Sequence, residues 1–248
     1  MFAVIFEVNP RKEAWDAYLS HAAALRPELL AIDGFIANER YTSLHRPGWL
    51  VSLSIWRDEK ALIRWRTHAL HHEIQGKGRA SVFADYHLRV GEIVADTEAT
   101  QPLPQSRFDS TEVSAATAVS ITERPLHAAP LPAAPLAAAP LAAVPLAAAP
   151  LAAVPLATAP LAAVPLAGKP AEPDLPDGAD APEETFDSIT RPGNALVLRS
   201  WPNIAAAATG VRGSGGRHRL VRVIRDYGMF ARAEAPQYFP APPSRLPA

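Results

Sequence analysis

The clearest structural signal in the chain is the segment Glu39-Arg-Tyr-Thr-Ser-Leu-His-Arg-Pro-Gly-Trp-Leu-Val-Ser-Leu-Ser-Ile-Trp56. In its second part the apolar residues Val51, Leu53 and Ile55 occupy every other position, which is the period-two pattern of a half-buried strand. The turn residues Arg-Pro-Gly at 46–48 separate this strand from a preceding one predicted over 35–44. The stretch therefore predicts a β-hairpin.

The residues on either side of the hairpin extend it into an α+β unit. Alternating apolar residues predict a first strand over 2–8, and helical spacing of apolar residues predicts a helix over 11–30. After the hairpin, Asp58 is a suitable N-cap for a second helix running to Gln75, and a fourth strand is predicted over 82–94. The order β-α-β-β-α-β is that of a ferredoxin-like unit, which we place at residues 1–98.

Part of this unit is repeated later in the chain. Residues 184–201 align with the hairpin stretch at a constant offset of 145, and seven of 18 positions are identical. Asp226-Tyr227 likewise echoes Asp85-Tyr86 at an offset of 141. The region between the second hairpin and its last strand is too short and glycine-rich for a four-turn helix. We therefore predict a degenerate second unit over 112–240, whose last strand carries alternating, solvent-facing arginines including Arg219.

A low-complexity tract of Ala, Pro and Leu occupies residues 128–170. Proline recurs at every fifth position from Pro130 to Pro170, which excludes both a membrane-spanning helix and a strand and favours an extended, polyproline-II-like segment. Two placements are open. In the first, the tract is an insertion at the place where the first helix of the second unit belongs. In the second, it is a linker between the first unit and a partial domain.

Composition excludes several classes of function. The chain has 24 Lys and Arg against 25 Asp and Glu, so no net field attracts nucleic acid or an anionic membrane. It has no cysteine, which excludes thiolate nucleophiles and Cys-ligated metal centres. The apolar start of the chain has no basic region before it and no cleavage site after it, so we interpret it as a strand and expect a cytoplasmic protein.

The second predicted helix carries the candidate site residues. At 100° per residue, Trp65 and His72 fall together at the edge of the apolar face, two turns apart, whereas His71 points to solvent. A bulky ring beside a titratable imidazole suits a cavity that relays protons, so we take Trp65 and His72 as candidate catalytic residues. His68 and His72 have the i, i+4 spacing of metal ligands, but no third ligand completes the pattern and no metal site is predicted.

The first unit resembles the antibiotic biosynthesis monooxygenase (ABM) family. The residues that carry the resemblance are Arg46-Pro-Gly48, Ser54-Ile-Trp-Arg-Asp58, Trp65 and Phe83-Ala-Asp-Tyr86, with weaker counterparts at Phe186–Gly193 and Arg225–Phe230. The resemblance implies a dimeric α+β barrel, in which a cavity lies between each four-stranded sheet and its helices. A tandem chain can form this barrel as an intramolecular pseudo-dimer, and a homodimer is the alternative.

The resemblance also implies two chemistries. Some family members oxidise aromatic phenols to quinones with no cofactor, and others bind heme through a helix histidine and degrade it. Trp65 matches the family's tryptophan, whereas Gln75 stands at the position of the heme histidine and Ala61 at that of a quinone-pathway asparagine. If heme is bound, His72 or His68 would hold it. The predicted function is a monooxygenase acting on a small hydrophobic aromatic molecule, and the alternative is a non-catalytic module for ligand binding or assembly.

Overall fold

A computed structural model of the chain describes residues 1–104, 118–126, 183–210 and 216–232. The predicted extended tract at 128–170 and its placement lie outside these residues, so both stay predictions.

The first half of the chain follows the predicted order of elements. They are β1 (Phe2–Pro10), a 3-10 turn (Lys12–Ala14), α1 (Trp15–Ala31), β2 (Phe35–Ser43), β3 (Leu50–Trp56), α2 (Glu59–Thr67), α3 (Ala69–Lys77), a π-helical turn (Gly78–Val82) and β4 (Phe83–Asp96). Asp58 caps α2 as predicted, because its carboxylate accepts a hydrogen bond of 2.8 Å from the Ala61 amide.

The second predicted helix is not continuous, which corrects the expectation over 58–75. Its first segment ends at Thr67, and His68 takes an extended conformation with φ −62° and ψ 128° before α3 starts at Ala69. Helical projection across this break is therefore invalid, because the rotation of 100° per residue does not continue through an extended residue.

The second half contributes four further strands and one short helix. They are β5 (Ala118–Pro125), β6 (Glu183–Ser188), β7 (Asn194–Trp201), α4 (Ile204–Gly210) and β8 (Arg217–Gly228). Both hairpins turn at Arg-Pro-Gly, and Gly48 and Gly193 have φ of 81° and 85°. Glycine is required there because side chains disfavour this left-handed region.

All eight strands close into one antiparallel barrel in the order β1-β3-β2-β6-β7-β5-β8-β4. The predicted α+β class is confirmed in the form of this barrel with helices outside it. Two seams join the halves, and they differ in length. The β4–β8 seam pairs nine residues of β4 with β8, from His87 to Asp96, whereas the β2–β6 seam pairs only three residues, Tyr41 to Ser43, with Ser188 to Phe186.

The barrel interior is filled by inward-facing apolar side chains from both halves. They include Ala3, Ile5, Tyr41, Val51, Leu53, Ile55, Ile93, Val119, Ile121, Phe186, Leu196, Leu198, Val221 and Val223. Strand alternation directs these residues inward and their neighbours outward. The outward-facing residues of β1–β4 are the surface on which the helices pack.

Each end of the barrel holds a cluster of ion pairs. At one end Glu7 pairs with Arg89 at 2.6 Å and with Arg46, and His87 pairs with Asp226 at 2.5 Å. The corresponding ion pairs lie at the other end. They are Glu123 with Arg219 at 2.5 Å, Glu123 with Arg191 at 3.9 Å, and Asp96 with Arg217 at 2.7 Å.

These clusters correct two sequence predictions. Arg219 is 6% exposed and lies inside the barrel rather than facing solvent, because closure of the sheet buries its inner face. Asp226 pairs in register with Arg89, and Asp96 with Arg219, so Asp226 is the counterpart of Asp96 rather than of Asp85. The echo of Asp85-Tyr86 at an offset of 141 is therefore coincidental.

Candidate functional site

The outer face of the first four-stranded sheet is divided into rows of residues that lie side by side across the strands. Two rows at its ends are buried, one with Leu50, Val8 and Tyr86 and the other with Trp56, Phe2 and Glu92. The two rows between them are partly exposed throughout. They are Arg40, Ser52, Phe6, Leu88 and Tyr227, and Asn38, Ser54, Val4, Val90 and Arg225.

The helices account for this difference between the rows. The start of α1 packs through Trp15 and Tyr18 on the row of Leu50 and Val8, whereas Leu29 and Trp65 pack near the row of Phe2. Solvent therefore reaches the two rows between these packed ends. We call these ten residues the central cleft. It is the candidate ligand site of the described residues, because it combines accessible apolar side chains with a few polar groups, as ligand sites do.

The central cleft has an apolar middle and polar flanks. Val4, Phe6, Leu88 and Val90 form the middle, on β1 and β4. On the β2–β3 side, the Asn38 amide donates to the Ser52 hydroxyl at 2.8 Å. Ser54 on the same side accepts a hydrogen bond of 2.9 Å from the Trp56 indole. Because both serine hydroxyls already accept, each has its own hydrogen to donate to a bound molecule.

Arg40 stands at the β2 end of the cleft, beside Ser52. Its Nε is buried, and among the described residues its guanidinium has neither a hydrogen bond nor an ion pair. The nearby Tyr18 phenol is buried, which raises its pKa, and the positive charge of Arg40 opposes that rise. Tyr18 thus stays a neutral phenol next to an arginine at neutral pH.

Tyr227 stands toward the other end of the same row. Burial, reinforced by Tyr86, raises its pKa to about 12, so the phenol keeps its proton. The Arg232 guanidinium lies 5.6 Å from the Tyr227 ring and donates a hydrogen bond of 2.6 Å to the Tyr86 hydroxyl. This end of the cleft is therefore also rich in hydrogen-bond donors.

The stack of aromatic rings over the buried row of Trp56 contains the sequence candidate Trp65. Trp65 is partly exposed, and its ring lies 6.4 Å from that of Trp56 and 4.1 Å from that of His71, nearly parallel to both. The ring of His68 lies 5.9 Å from Trp65 on the stack. Trp65 thus lies at the boundary between the cleft and the helices, in agreement with its predicted position at a helix edge.

His72 does not lie where the helix projection puts it. It is exposed, whereas His71, predicted to face solvent, is only partly exposed and stacks on Trp65. The extended conformation of His68 changes the direction of α3 and exchanges the two positions. The structure thus brings Trp65 together with His71 rather than with His72.

The proton on His71 can be assigned from its partners. Nδ1 lies 2.9 Å from the Trp65 carbonyl oxygen, which can only accept, so Nδ1 carries the hydrogen. Nε2 then accepts from the Gln75 amide at 3.3 Å. Burial lowers the pKa of His71 to about 4, so the ring is neutral at neutral pH.

The three histidines do not fit a heme. His72 is exposed, the free electron pair of His71 faces Gln75, and His68 pairs through Nε2 with Glu28 at 3.3 Å while its Nδ1 is buried beyond the reach of solvent. A heme iron needs an imidazole nitrogen that faces a cavity of porphyrin size.

The structure adds residues that the sequence patterns did not single out. Asn38 and Arg40 alternate along β2 as polar residues of an ordinary strand, and only the register with Ser52 and the helices above show that they border a cleft. His71 was missed because of the helix break.

Within the described ranges no group of three His, Asp or Glu side chains could hold a metal ion. None of the described helices is long and apolar enough to span a membrane.

Known proteins are similar to the whole chain or to its first part. Residues 1–77 match the family model described as antibiotic biosynthesis monooxygenase. Over 240 residues the chain is 39% identical to Jasmonate monooxygenase ABM of Pyricularia oryzae, covering 97% of this chain and 99% of that protein. Among solved structures, Rv0793 from Mycobacterium tuberculosis is 22% identical over 39% of this chain and 98% of its own, with a TM-score of 0.36. An anthrone oxidase-like protein is 8% identical over 95% of this chain and 96% of its own, with a TM-score of 0.33.

Proposed function

The chain belongs to the antibiotic biosynthesis monooxygenase family, and we propose that it binds a small organic substrate in the central cleft and inserts one oxygen atom into it. The other atom of O₂ leaves as water. The two electrons and two protons that this takes up come from an external reductant such as a reduced nicotinamide, or from the substrate itself where its ring is electron-rich. The observation that carries the proposal is the contrast between the partly exposed central rows and the buried rows on either side of them.

The equivalent surface of the second half supports this choice of site. Ser120 and Thr122 hold the positions on β5 that Val4 and Phe6 hold on β1, and they are only 3% and 8% exposed. The Trp201 indole donates to the Ser120 hydroxyl at 2.9 Å, and Thr122 bonds His218. In the described part of the chain, the middle rows of the second half are thus buried on β5, although Arg199 and Leu220 beside Ser120 are partly exposed, whereas those of the first half are partly exposed on every strand.

Jasmonate is the first substrate to test. The relative that is named a jasmonate monooxygenase matches this chain over nearly its whole length, and jasmonate combines an apolar ring and tail with a carboxylate. The apolar middle of the cleft, formed by residues such as Phe6 and Leu88, suits the ring and tail. The hydroxyl groups of Ser52 and Ser54 would orient an oxygen atom of the substrate.

An electron-rich aromatic molecule is the second candidate substrate. The Trp65 ring, stacked with Trp56 and His71, is partly exposed and can contact an aromatic ring edge to face. With a phenolic substrate of this kind, the ring itself supplies the electrons and is oxidised to a quinone. Trp65 would position such a ring, and neutral His71 would hold Trp65 in place rather than transfer a proton.

We also propose that the two halves are tandem ABM-like units, at 1–98 and 112–240, with the tract at 128–170 inserted in the second. Support comes from the strand order, which is the same in both halves. Across the sheet, each half has its fourth strand, then its first, its third and its second. The matched ion pairs at both barrel ends support it as well. The barrel within one chain would then take the place of a homodimer.

The experiment that tests the function uses purified full-length protein, ¹⁸O₂ and jasmonate, with and without an added reductant. We expect a product with one ¹⁸O atom, detected by mass spectrometry. Leu88→Trp, which fills the cleft, should abolish the product, whereas Leu30→Trp at an exposed position of α1 should not. An anthrone replaces jasmonate in a parallel reaction. Binding of either molecule without ¹⁸O in any product would instead favour the non-catalytic module.

A further inference from the structure

Arg40 is unusual among the arginines described in the structure. Most of the others have carboxylate or hydroxyl partners, as in the pairs of Arg46 and Arg89 with Glu7. The guanidinium of Arg40 has no hydrogen bond and no ion pair among the described residues, although its Nε is buried. A buried donor without an acceptor costs free energy, and an oxygen atom of a ligand at this position would supply the missing acceptor.

The charges around Arg40 indicate the nature of that partner. The ten residues of the central cleft include two arginines, Arg40 and Arg225, and no carboxylate. Glu39, next to Arg40 in sequence, faces the barrel interior and bonds Ser188 at 3.0 Å. The cleft is thus positive and rich in donors, and the missing component is an anionic oxygen.

Neighbouring groups would complete a site for such an oxygen. Arg40 and Ser52 lie directly opposite each other on adjacent strands, a position in which their Cβ atoms are about 5 Å apart. The Ser52 hydroxyl accepts from Asn38 and has its own hydrogen left to donate. A carboxylate with two oxygens can bind the guanidinium and the hydroxyl together.

The sheet also limits the size of the ligand. Strands lie about 4.8 Å apart, so the apolar residues Phe6 on β1 and Leu88 on β4 are roughly 10–14 Å from the backbone of Arg40. If the anionic group of a ligand binds Arg40, an apolar body roughly 10–14 Å long would extend over the side chains of Phe6 and Leu88. One unpaired guanidinium matches one negative charge.

We propose that Arg40 is a specificity-determining residue that binds the carboxylate of the substrate, so that the central cleft selects apolar monocarboxylates over their neutral esters. The identity of this ligand as a substrate rests on the proposed function, whereas the binding of the carboxylate by Arg40 can be measured on its own.

Binding is measured with jasmonic acid and methyl jasmonate as probes, by calorimetry or by quenching of tryptophan fluorescence, on the full chain. For the wild type at neutral pH we expect at least tenfold tighter binding of the acid than of the ester. Arg40→Gln should remove most of that difference by weakening the acid alone, and Arg40→Lys should restore part of it. The matched control is Arg64→Gln on the exposed face of α2, which should leave both affinities unchanged.

The outcomes separate this proposal from the proposed function. Equal binding of acid and ester by the wild type, or equal losses for both probes in Arg40→Gln, would overturn the role of Arg40. Loss of all binding together with a lower melting temperature would assign Arg40 to stability instead. A retained preference for the acid with no ¹⁸O-labelled product would leave the carboxylate site standing and overturn the monooxygenase.

Discussion

The imidazole of His71 lies parallel to the indole of Trp65, with ring centroids 4.1 Å apart, and donates a hydrogen bond of 2.9 Å to the Trp65 backbone carbonyl oxygen. The hydrogen bond spans the break at His68, where α2 ends and α3 starts. One side chain of α3 therefore fixes both the ring and the backbone of the last turn of α2.

Replacing His71 should loosen this junction. His71→Ala removes a partly buried, stacked ring and its hydrogen bond, and we expect it to lower the free energy of unfolding by about 2 kcal/mol and to shift the Trp65 fluorescence. His72→Ala, at an exposed position, should change the free energy by less than about 0.5 kcal/mol. Urea denaturation of both variants measures this. The reverse order of the two effects would mean that the continuous-helix projection is correct.

The neutrality of His71 predicts a loss of stability in acid. Its pKa of about 4 lies below the ordinary value of 6.5, so below pH 6.5 the unfolded chain binds a proton that the folded protein excludes. The free energy of unfolding should therefore fall by up to about 3 kcal/mol through His71 as the pH decreases from 6.5 to 4. At pH 8 His71 should have no such effect. His71→Gln should flatten the stability profile in that range, as measured by urea denaturation at each pH. An unchanged slope would contradict the buried neutral ring.

His87 should give stability the opposite pH dependence to that of His71. Burial lowers its pKa, but hydrogen bonds to Asp226 and Glu7 more than offset this, and the pKa lies above 6.5. The protonated ring therefore stabilises the fold fully below pH 6.5, and this contribution is lost as the pH rises through the raised value. The melting temperature of the wild type should therefore decline as the pH rises above 6.5, and we expect this decline to be absent in His87→Gln. If the variant declines as the wild type does, the pairs of His87 do not stabilise the folded state.

Glu7 should be among the polar residues on which stability depends most. Burial alone would raise its pKa, but Arg89, His87 and Arg46 hold it well below its usual range. Glu7→Gln leaves the buried Arg89 without its carboxylate, and we expect a loss of about 3 kcal/mol in chemical denaturation. Asp33→Asn breaks an exposed pair with Arg57 and serves as the control, for which no measurable change is expected. Similar results for the two variants would argue against a buried ion cluster.

The fold was largely predictable, because strand alternation and turn residues are local signals. The hairpin around Arg46-Pro-Gly48 and its counterpart at Arg191 are examples, since the glycine and the period-two pattern act within a few residues. The break at His68 has no such signal, because neither proline nor glycine marks it. The extended backbone there accompanies the packing of His71 on Trp65, a tertiary contact that no local pattern encodes.

The candidate site was less predictable, because it depends on which strands are neighbours. Alternation shows that Arg40 and Arg219 each face one side of a strand, but it does not tell the inner from the outer face of a closed barrel. Closure places Arg219 inside with Glu123 and Arg40 outside beside Ser52. The sequence cannot supply the register that makes Arg40 part of a cleft.

The unequal seams of the barrel have a consequence for its dynamics. With only three paired residues, the β2–β6 seam is held to a large extent by side chains, such as the bonds of Ser43 and Arg46 to Glu184 at 2.6 Å. Local opening should begin where the fewest backbone bonds must break. The amide hydrogens of Leu44 and Ile189, which donate across this seam to the carbonyl oxygens of Thr185 and Arg40, should therefore exchange with deuterium faster than those along β4 and β8. Since β2 also carries Arg40, a carboxylate bound there would slow this exchange, and the breathing of the barrel would report on ligand occupancy.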